Sequence, residues 1–201
     1  MILTASSLRL CALALCSLLV ASCAAAPRVA TSPSEPASDA GAEVSRYTAL
    51  SIGNAWTFQV RAAGSTSSDT IRIVGRDGPW FLDDHRGRLR IDSLGLRDGA
   101  RYLLRGPIAV GRSWSSVEEM AVQRFEITAT DAQLDTPAGH FEKCVVVRNQ
   151  QPVEGGGIFS TEWTYAPDVG MVQLRTRTVS TEGKAQEQLR LTLSKFERAA
   201  P

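Results

Sequence analysis

Asp83-Asp84-His85 is the densest set of ligand-type side chains in this 201-residue chain. An imidazole beside two carboxylates offers donors for a divalent cation, but metal sites draw their ligands from several segments. The chain has 2 histidines, His85 and His140, and the stretch has the composition of a hairpin turn. No metal ligand set is assigned. Cys144 is a candidate nucleophile with His140 as its base. Residues four apart on a strand lie about 13 Å apart along its axis, however, and Cys144-Val145-Val146-Val147 reads as a buried apolar run. Cys144 is therefore expected to be an inert, buried thiol. The chain contains no Gly-x-Ser-x-Gly elbow and no Ser-x-x-Lys pair. Gly155-Gly156-Gly157 lacks the lysine and helix start of a phosphate loop. No catalytic residue and no cofactor is assigned, and the protein is expected not to be an enzyme.

Two groups suit binding rather than reaction. Arg86, Arg88 and Arg90 alternate with Leu89 and Ile91, which places three guanidinium groups on one strand face. Such a face can grip a phosphate or a carboxylate, or be a solvated face neutralised by Asp83, Asp84, Asp92 and Asp98. Phe159, Trp163 and Tyr165 share the other parity of a second alternating stretch with Thr161. They can line an apolar ligand pocket or fill a core.

The elements that must position these groups are strands. Alternation of apolar and polar residues marks Trp56–Arg61, Thr70–Ile73, Arg88–Asp92, Phe159–Tyr165 and Leu189–Ser194. Gly/Asp/Pro/Ser clusters punctuate them. Val117–Ala121 is the one stretch that suits a helical turn. About ten short strands result, and each connection is far shorter than the dozen or more residues a parallel crossover needs. The expected fold is all-β: an antiparallel meander forming a curved sheet or barrel, with a two-sheet sandwich as the alternative. Gly53-Asn54-Ala55-Trp56 and Gly111-Arg112-Ser113-Trp114 repeat one spacing, as two similar corners would.

The start of the chain has a different character. Leu10–Val20 is an unbroken run of apolar and small residues, too short for a bilayer core, which needs roughly 20 residues, but suited to a secretory signal. Val20-Ala21-Ser22-Cys23 resembles the lipobox of bacterial lipoproteins. That resemblance implies cleavage before Cys23 and acylation of Cys23, palmitate included. Ala24 and Ala25 then favour the outer membrane, facing the periplasm, over the inner membrane. The expected organisation is a leader over 1–22, a lipidated cysteine and Ala/Ser/Pro-rich linker over 23–45, and one β domain over 46–198. The linker would have a typical end-to-end distance of about 25 Å. Arg9 leaves with the leader, so the 22 basic residues become 21, against 21 acidic ones. A balanced charge excludes a general nucleic-acid binder. Cys11 and Cys16 leave as well, so Cys144 has no internal disulfide partner.

Several phrases together resemble a group of bacterial envelope proteins with a domain of unknown function, labelled TapB-like. They are Tyr47…Gly53-Asn54-x-Trp56, Pro107…Gly111-x-x-Trp114, Thr136-Pro137-Ala138-Gly139-x-Phe141-x-x-Cys144-Val145-Val146 and Tyr165-Ala166-Pro167-x-Val169-Gly170-x-Val172. The resemblance covers nearly the whole folded part and brings no catalytic residue with it. The expected role is a membrane-anchored envelope lipoprotein acting as a non-enzymatic interaction or structural module. The alternative is a carrier of a lipid or other small apolar ligand. A module predicts a solid interior and a carrier a hollow one. The expected partners are the membrane, through Cys23, and an envelope protein or apolar ligand.

Overall fold

The computed structural model describes residues 40–118 and 121–200. The leader, Cys23 and most of the linker lie outside the described residues. A helix, α1 (Ala40–Ser45), precedes twelve described strands. These are β1 (Ala55–Ala62), β2 (Ser65–Asp77), β3 (Trp80–Asp83), β4 (Arg88–Asp92), β5 (Gly95–Arg97), β6 (Tyr102–Arg105), β7 (Ser113–Glu118), β8 (Ala121–Thr136), β9 (Gly139–Pro152), β10 (Ile158–Ala166), β11 (Gly170–Val179) and β12 (Ala185–Glu197). All pairings are antiparallel, in one sheet of order β6-β5-β4-β3-β2-β1-β12-β11-β10-β9-β8-β7. The expected curved all-β meander is what the chain forms, as a nearly closed barrel.

The sheet order explains the curling. Every neighbour is sequential except β1 and β12, which zip the first and last strands together. The two free edges are therefore β6 and β7, and residues 106–112 join them. Seven residues span at most about 25 Å, so the edges must approach each other. Side chains close this seam. The Trp114 indole donates to the Tyr102 carbonyl at 2.9 Å, and Arg101 Nη1 donates to Gln123 Oε1 at 2.9 Å.

Register sorts the faces. Ile127, Val147, Trp163, Leu174, Leu191 and Val60 lie side by side from β8 to β1 and form an inner apolar row. One residue along, Glu126, Arg148, Glu162, Arg175, Arg190 and Arg61 form the outer row. Period-two alternation thus places a charged belt directly over an apolar one.

Both glycine corners adopt one geometry. Gly53 and Gly111 have φ of +94° and +84°, a region that L side chains rarely occupy. Gly53 N donates to Ile73 O at 2.8 Å and Gly111 N to Ile127 O at 2.9 Å. The return bonds, Ile73 N to Asn54 O and Ile127 N to Arg112 O, are 3.0 and 2.9 Å. Each following tryptophan then donates its indole N–H to a carbonyl across the barrel, Trp56 to Val169 and Trp114 to Tyr102.

Two expectations need correction. Val117–Ala121 is not a helical turn: β7 and β8 form a hairpin there, with Val117 opposite Val122 and Glu118 opposite Ala121. A single turn cannot cover the cost of helix nucleation, and stacking of Trp114 on Phe125 fixes the hairpin register. Packed structure also begins before residue 46. Six residues of α1 would not hold a helix alone, but Val44 is fully buried beside Leu96 and Leu104. The Glu43 carboxylate accepts from Ile108 N at 2.9 Å and ties α1 to the seam connection.

Trp114→Phe keeps the stacked ring and removes the indole donor from the Tyr102 carbonyl. We expect a loss of about 1–3 kcal/mol, read as a lower urea midpoint at unchanged slope. An unchanged midpoint would mean that this bond does not hold the seam.

Candidate functional site: an apolar cavity inside the barrel

The interior is not completely filled. A cavity of about 170 Å³ opens between β1, β2 and the β10–β11 hairpin, with the segment Tyr47–Leu50 as part of its wall. Trp56 and Phe58 from β1, Ile71 and Ile73 from β2, Leu103 from β6 and Met171 from β11 supply most of the apolar lining. Trp163 and Tyr165 reach it from β10, as their alternation predicts. Burial pushes the Tyr165 phenol well above its ordinary range, so it is present as a neutral hydroxyl.

Phe159 does not join them. It lies four residues before Trp163, about 13 Å along the strand, and pairs with Gln151 and Thr178 away from the cavity. The alternation identified the face of β10 correctly but not how far along it the cavity extends. The wall segment Tyr47–Leu50 had no periodic signal; only its apolar members Tyr47 and Leu50, after the linker, hinted at burial.

Asp83 is the one carboxylate in the lining, and it is already committed. Asp83 Oδ1 accepts from His85 N at 2.9 Å and from Gly87 N at 2.6 Å, closing the β3–β4 turn. Asp84 Oδ1 accepts from Arg72 N at 2.9 Å. His85 Nε2 sits 3.6 Å from Asp69 and 4.0 Å from Asp84 on the exposed rim. These bonds make Asp83-Asp84-His85 a built turn. Among the described residues no group of three His, Cys, Asp or Glu is placed to hold a metal ion.

Cys144 is fully buried, and desolvation pushes its thiol up to about 11. His140 serves the surface instead: its Nδ1 lies 2.7 Å from Asp135 and its Nε2 3.6 Å from Glu142. Those carboxylates, the Asp135 hydrogen bond first, raise the imidazole above its ordinary value.

The arginine trio separates. Arg86 occupies the β3–β4 turn, exposed and with φ of +67°, off the strand face. Arg88 and Arg90 lie on that face, 4.9 and 4.7 Å from the centroid of the Trp80 ring.

No family model and no curated protein matches the chain. Two crystal structures have similar folds. One, from Bacteroides fragilis and described as an exported protein with a YmcC-like fold, is 12% identical, with 75% of this chain and 98% of that one covered and a TM-score of 0.46. The other, from Parabacteroides distasonis and described as a lipoprotein, is 10% identical, with 76% and 98% covered and a TM-score of 0.44. At this distance neither assigns a residue or a role to this chain.

The state of Cys144 can be checked by alkylation. With the thiol held at about 11, thiolate forms only as the pH approaches that value. The Cys144 peptide should therefore resist iodoacetamide at neutral pH in the folded protein and react in urea. Rapid labelling of the folded protein would restore Cys144 as a candidate nucleophile.

Proposed function

We propose that this is a lipid-anchored, non-enzymatic envelope protein whose barrel holds a small apolar ligand. The observation that carries the reading is the cavity of about 170 Å³ with a largely apolar lining. A purely structural module has no use for unfilled interior, because each void forfeits packing contacts. The size limits the occupant. An apolar cavity of about 150 Å³ accommodates a molecule the size of benzene, so the ligand is a single ring or the end of an acyl chain, not a whole lipid. Tyr47 and Tyr165 in the wall carry the phenols that would orient one polar atom of it, since the Thr48 hydroxyl is committed to the Ser45 carbonyl.

The anchor rests on the sequence around Cys23 and on the TapB-like phrases. Each acyl methylene in the membrane contributes about 0.8 kcal/mol, and one chain alone binds only reversibly, so stable attachment requires the several chains that lipoprotein processing adds. Ala24 and Ala25 support the outer membrane as the destination. A second reading, an interaction or structural module, draws support from the outside of the barrel. Val117 and Val122 face each other across the β7–β8 hairpin while 69% and 61% exposed.

Native mass spectrometry of the exported Cys23→Ser chain tests the ligand. We expect an extra mass that organic solvent extracts, and its loss in Leu103→Trp, where the larger side chain fills the cavity. A clean apo mass that accepts no added benzene-sized probe would remove the carrier reading and leave the surface module.

The anchor has its own test. Labelled palmitate should enter the wild-type chain and not Cys23→Ser, which should appear in the soluble fraction. Equal labelling of both would place the lipid elsewhere or nowhere.

A further inference from the structure

The outer face of β3–β6 carries a second feature, independent of the cavity. Register places Arg90 directly opposite Arg97, and Arg97 opposite Tyr102. Continuing the Phe81–Leu89 pairing by one residue sets Trp80 opposite Arg90. A transverse row results: Trp80, Arg90, Arg97, Tyr102. Leu89, Ile91 and Leu96 pack into the core, so Arg90 and Arg97 lie on the other face, while Tyr102, half-buried, also packs against the core at the end of the row.

Like charges directly opposite each other destabilise a sheet. Here two guanidinium groups are adjacent and two more flank them. Arg88 and Arg90 stack on Trp80, at 4.9 and 4.7 Å. Arg97 and Arg105 stack on Tyr102, at 5.2 and 5.5 Å. Among the described residues the one carboxylate paired into this row is Asp92, whose Oδ2 lies 3.4 Å from Arg90 Nη2 and 3.0 Å from the Tyr102 hydroxyl. The neighbouring Asp98 carboxylate is spent on Ala100 N, Arg101 N and the Arg101 guanidinium. Four arginines against one aspartate leave an excess of three positive charges. Burial, followed by the Asp92 hydrogen bond, pushes the Tyr102 phenol up, so it adds no negative charge.

The other arginine-rich face is different. Arg148 and Arg177 both meet Glu162, and Arg175 and Arg190 both meet Glu187. Each of these four arginines shares a glutamate, two to each carboxylate, whereas on the β3–β6 face, among the described residues, only Arg90 has a carboxylate partner. Stacking also fixes the donors. A guanidinium lying on a ring directs its N–H groups edgewise. Arg90 Nη2 already lies 3.4 Å from Asp92 and Arg97 Nε donates to the Asp98 carbonyl at 3.2 Å, so Arg90 Nη1 and the two terminal nitrogens of Arg97 are the groups left to meet a ligand. Two such guanidiniums at cross-strand spacing, about 5 Å, can converge on one tetrahedral oxyanion. A carboxylate needs one fork; a phosphate group, with a charge of about −1.5 to −2, matches two guanidiniums and the charge excess.

We propose that the outer face of β3–β6 binds a phosphate group between Arg90 and Arg97. Trp80 and Tyr102 hold the two guanidiniums flat, and Arg88 and Arg105 supply the surrounding field. The phosphate belongs either to a soluble molecule or to a lipid headgroup, and both present the same oxyanion.

Calorimetry at low ionic strength on the full chain in neutral detergent tests this. One arm titrates inorganic phosphate. The other compares micelles containing phosphatidylglycerol with micelles containing phosphatidylcholine. Saturable heat with inorganic phosphate supports the site with a soluble ligand. Heat with phosphatidylglycerol alone supports it with a headgroup. In either case Arg90→Gln/Arg97→Gln should bind at least about tenfold more weakly, and Arg175→Gln/Arg190→Gln, on the glutamate-paired belt, should bind as wild type does. Because Arg90 is also packed on Trp80, the wild-type titration decides the matter if the double variant does not fold. No heat from the wild type in either arm overturns the proposal, as does a folded Arg90→Gln/Arg97→Gln chain that binds undiminished.

Discussion

The barrel depends on a mismatch between where the chain ends and where the sheet ends. Pairing of β1 with β12 consumes the terminal strands in the middle of the sheet, so the free edges fall in mid-sequence, at β6 and β7. No backbone ladder joins them, and the short 106–112 connection forbids them to separate. Closure therefore passes to side chains, with the Trp114–Tyr102 bond as the polar part and the packing of Leu104 and Trp114 in one core cluster as the apolar part. A full ladder would draw the two edges to about 4.8 Å. Side chains hold them less tightly, and α1 then inserts Val44 among Leu96, Leu104 and Trp114 at the core.

That arrangement also governs the two surfaces with binding character. Inside, the apolar row from Ile127 to Val60 covers one side of the barrel, and the cavity lies where β1, β2 and β10 turn towards the opposite wall. Outside, the same alternation forces charge onto every second residue. On β9–β12 four arginines share Glu162 and Glu187, two to each. On β3–β6, whose strands are only three to five residues long, aromatic rings stand where the longer strands carry glutamate. Ring faces disperse cationic charge without cancelling it, and the field of that face stays positive.

Strand character was legible in the sequence because alternation is local. Arg88–Asp92, Phe159–Tyr165 and Leu189–Ser194 carry it openly, and the Gly53 and Gly111 corners could be matched from two letters each. Two strands escaped notice. β5 is three residues long, below the length at which alternation becomes a pattern, and β7 ends in a Val-Glu pair that fits a helical turn equally well. The site was less legible. Trp163 and Tyr165 follow from parity, but the wall at Tyr47–Leu50 comes from a non-periodic segment. The Arg90–Arg97 opposition depends on the register of β4 against β5, which no single segment encodes. Arg86 shows the converse: its parity matches its neighbours, yet a left-handed turn removes it from their face.

The position of α1 has a mechanical consequence. Tension applied to α1 from its N-terminal end loads the described residues first at Ala40. It is borne first by the buried residues Ala40, Gly41 and Val44 and by the bonds from Ile108 N to Glu43 and from Asp168 N to the Arg46 carbonyl, and only afterwards by the β1–β12 ladder. A six-residue helix yields at far lower load than a strand sheared along its full register. Withdrawing it would strip Val44 from the seam and slacken Tyr47–Leu50, a wall of the cavity. The fold thus contains a weak link ahead of the barrel, placed so that a pull on α1 is felt at the pocket before it is felt by the sheet.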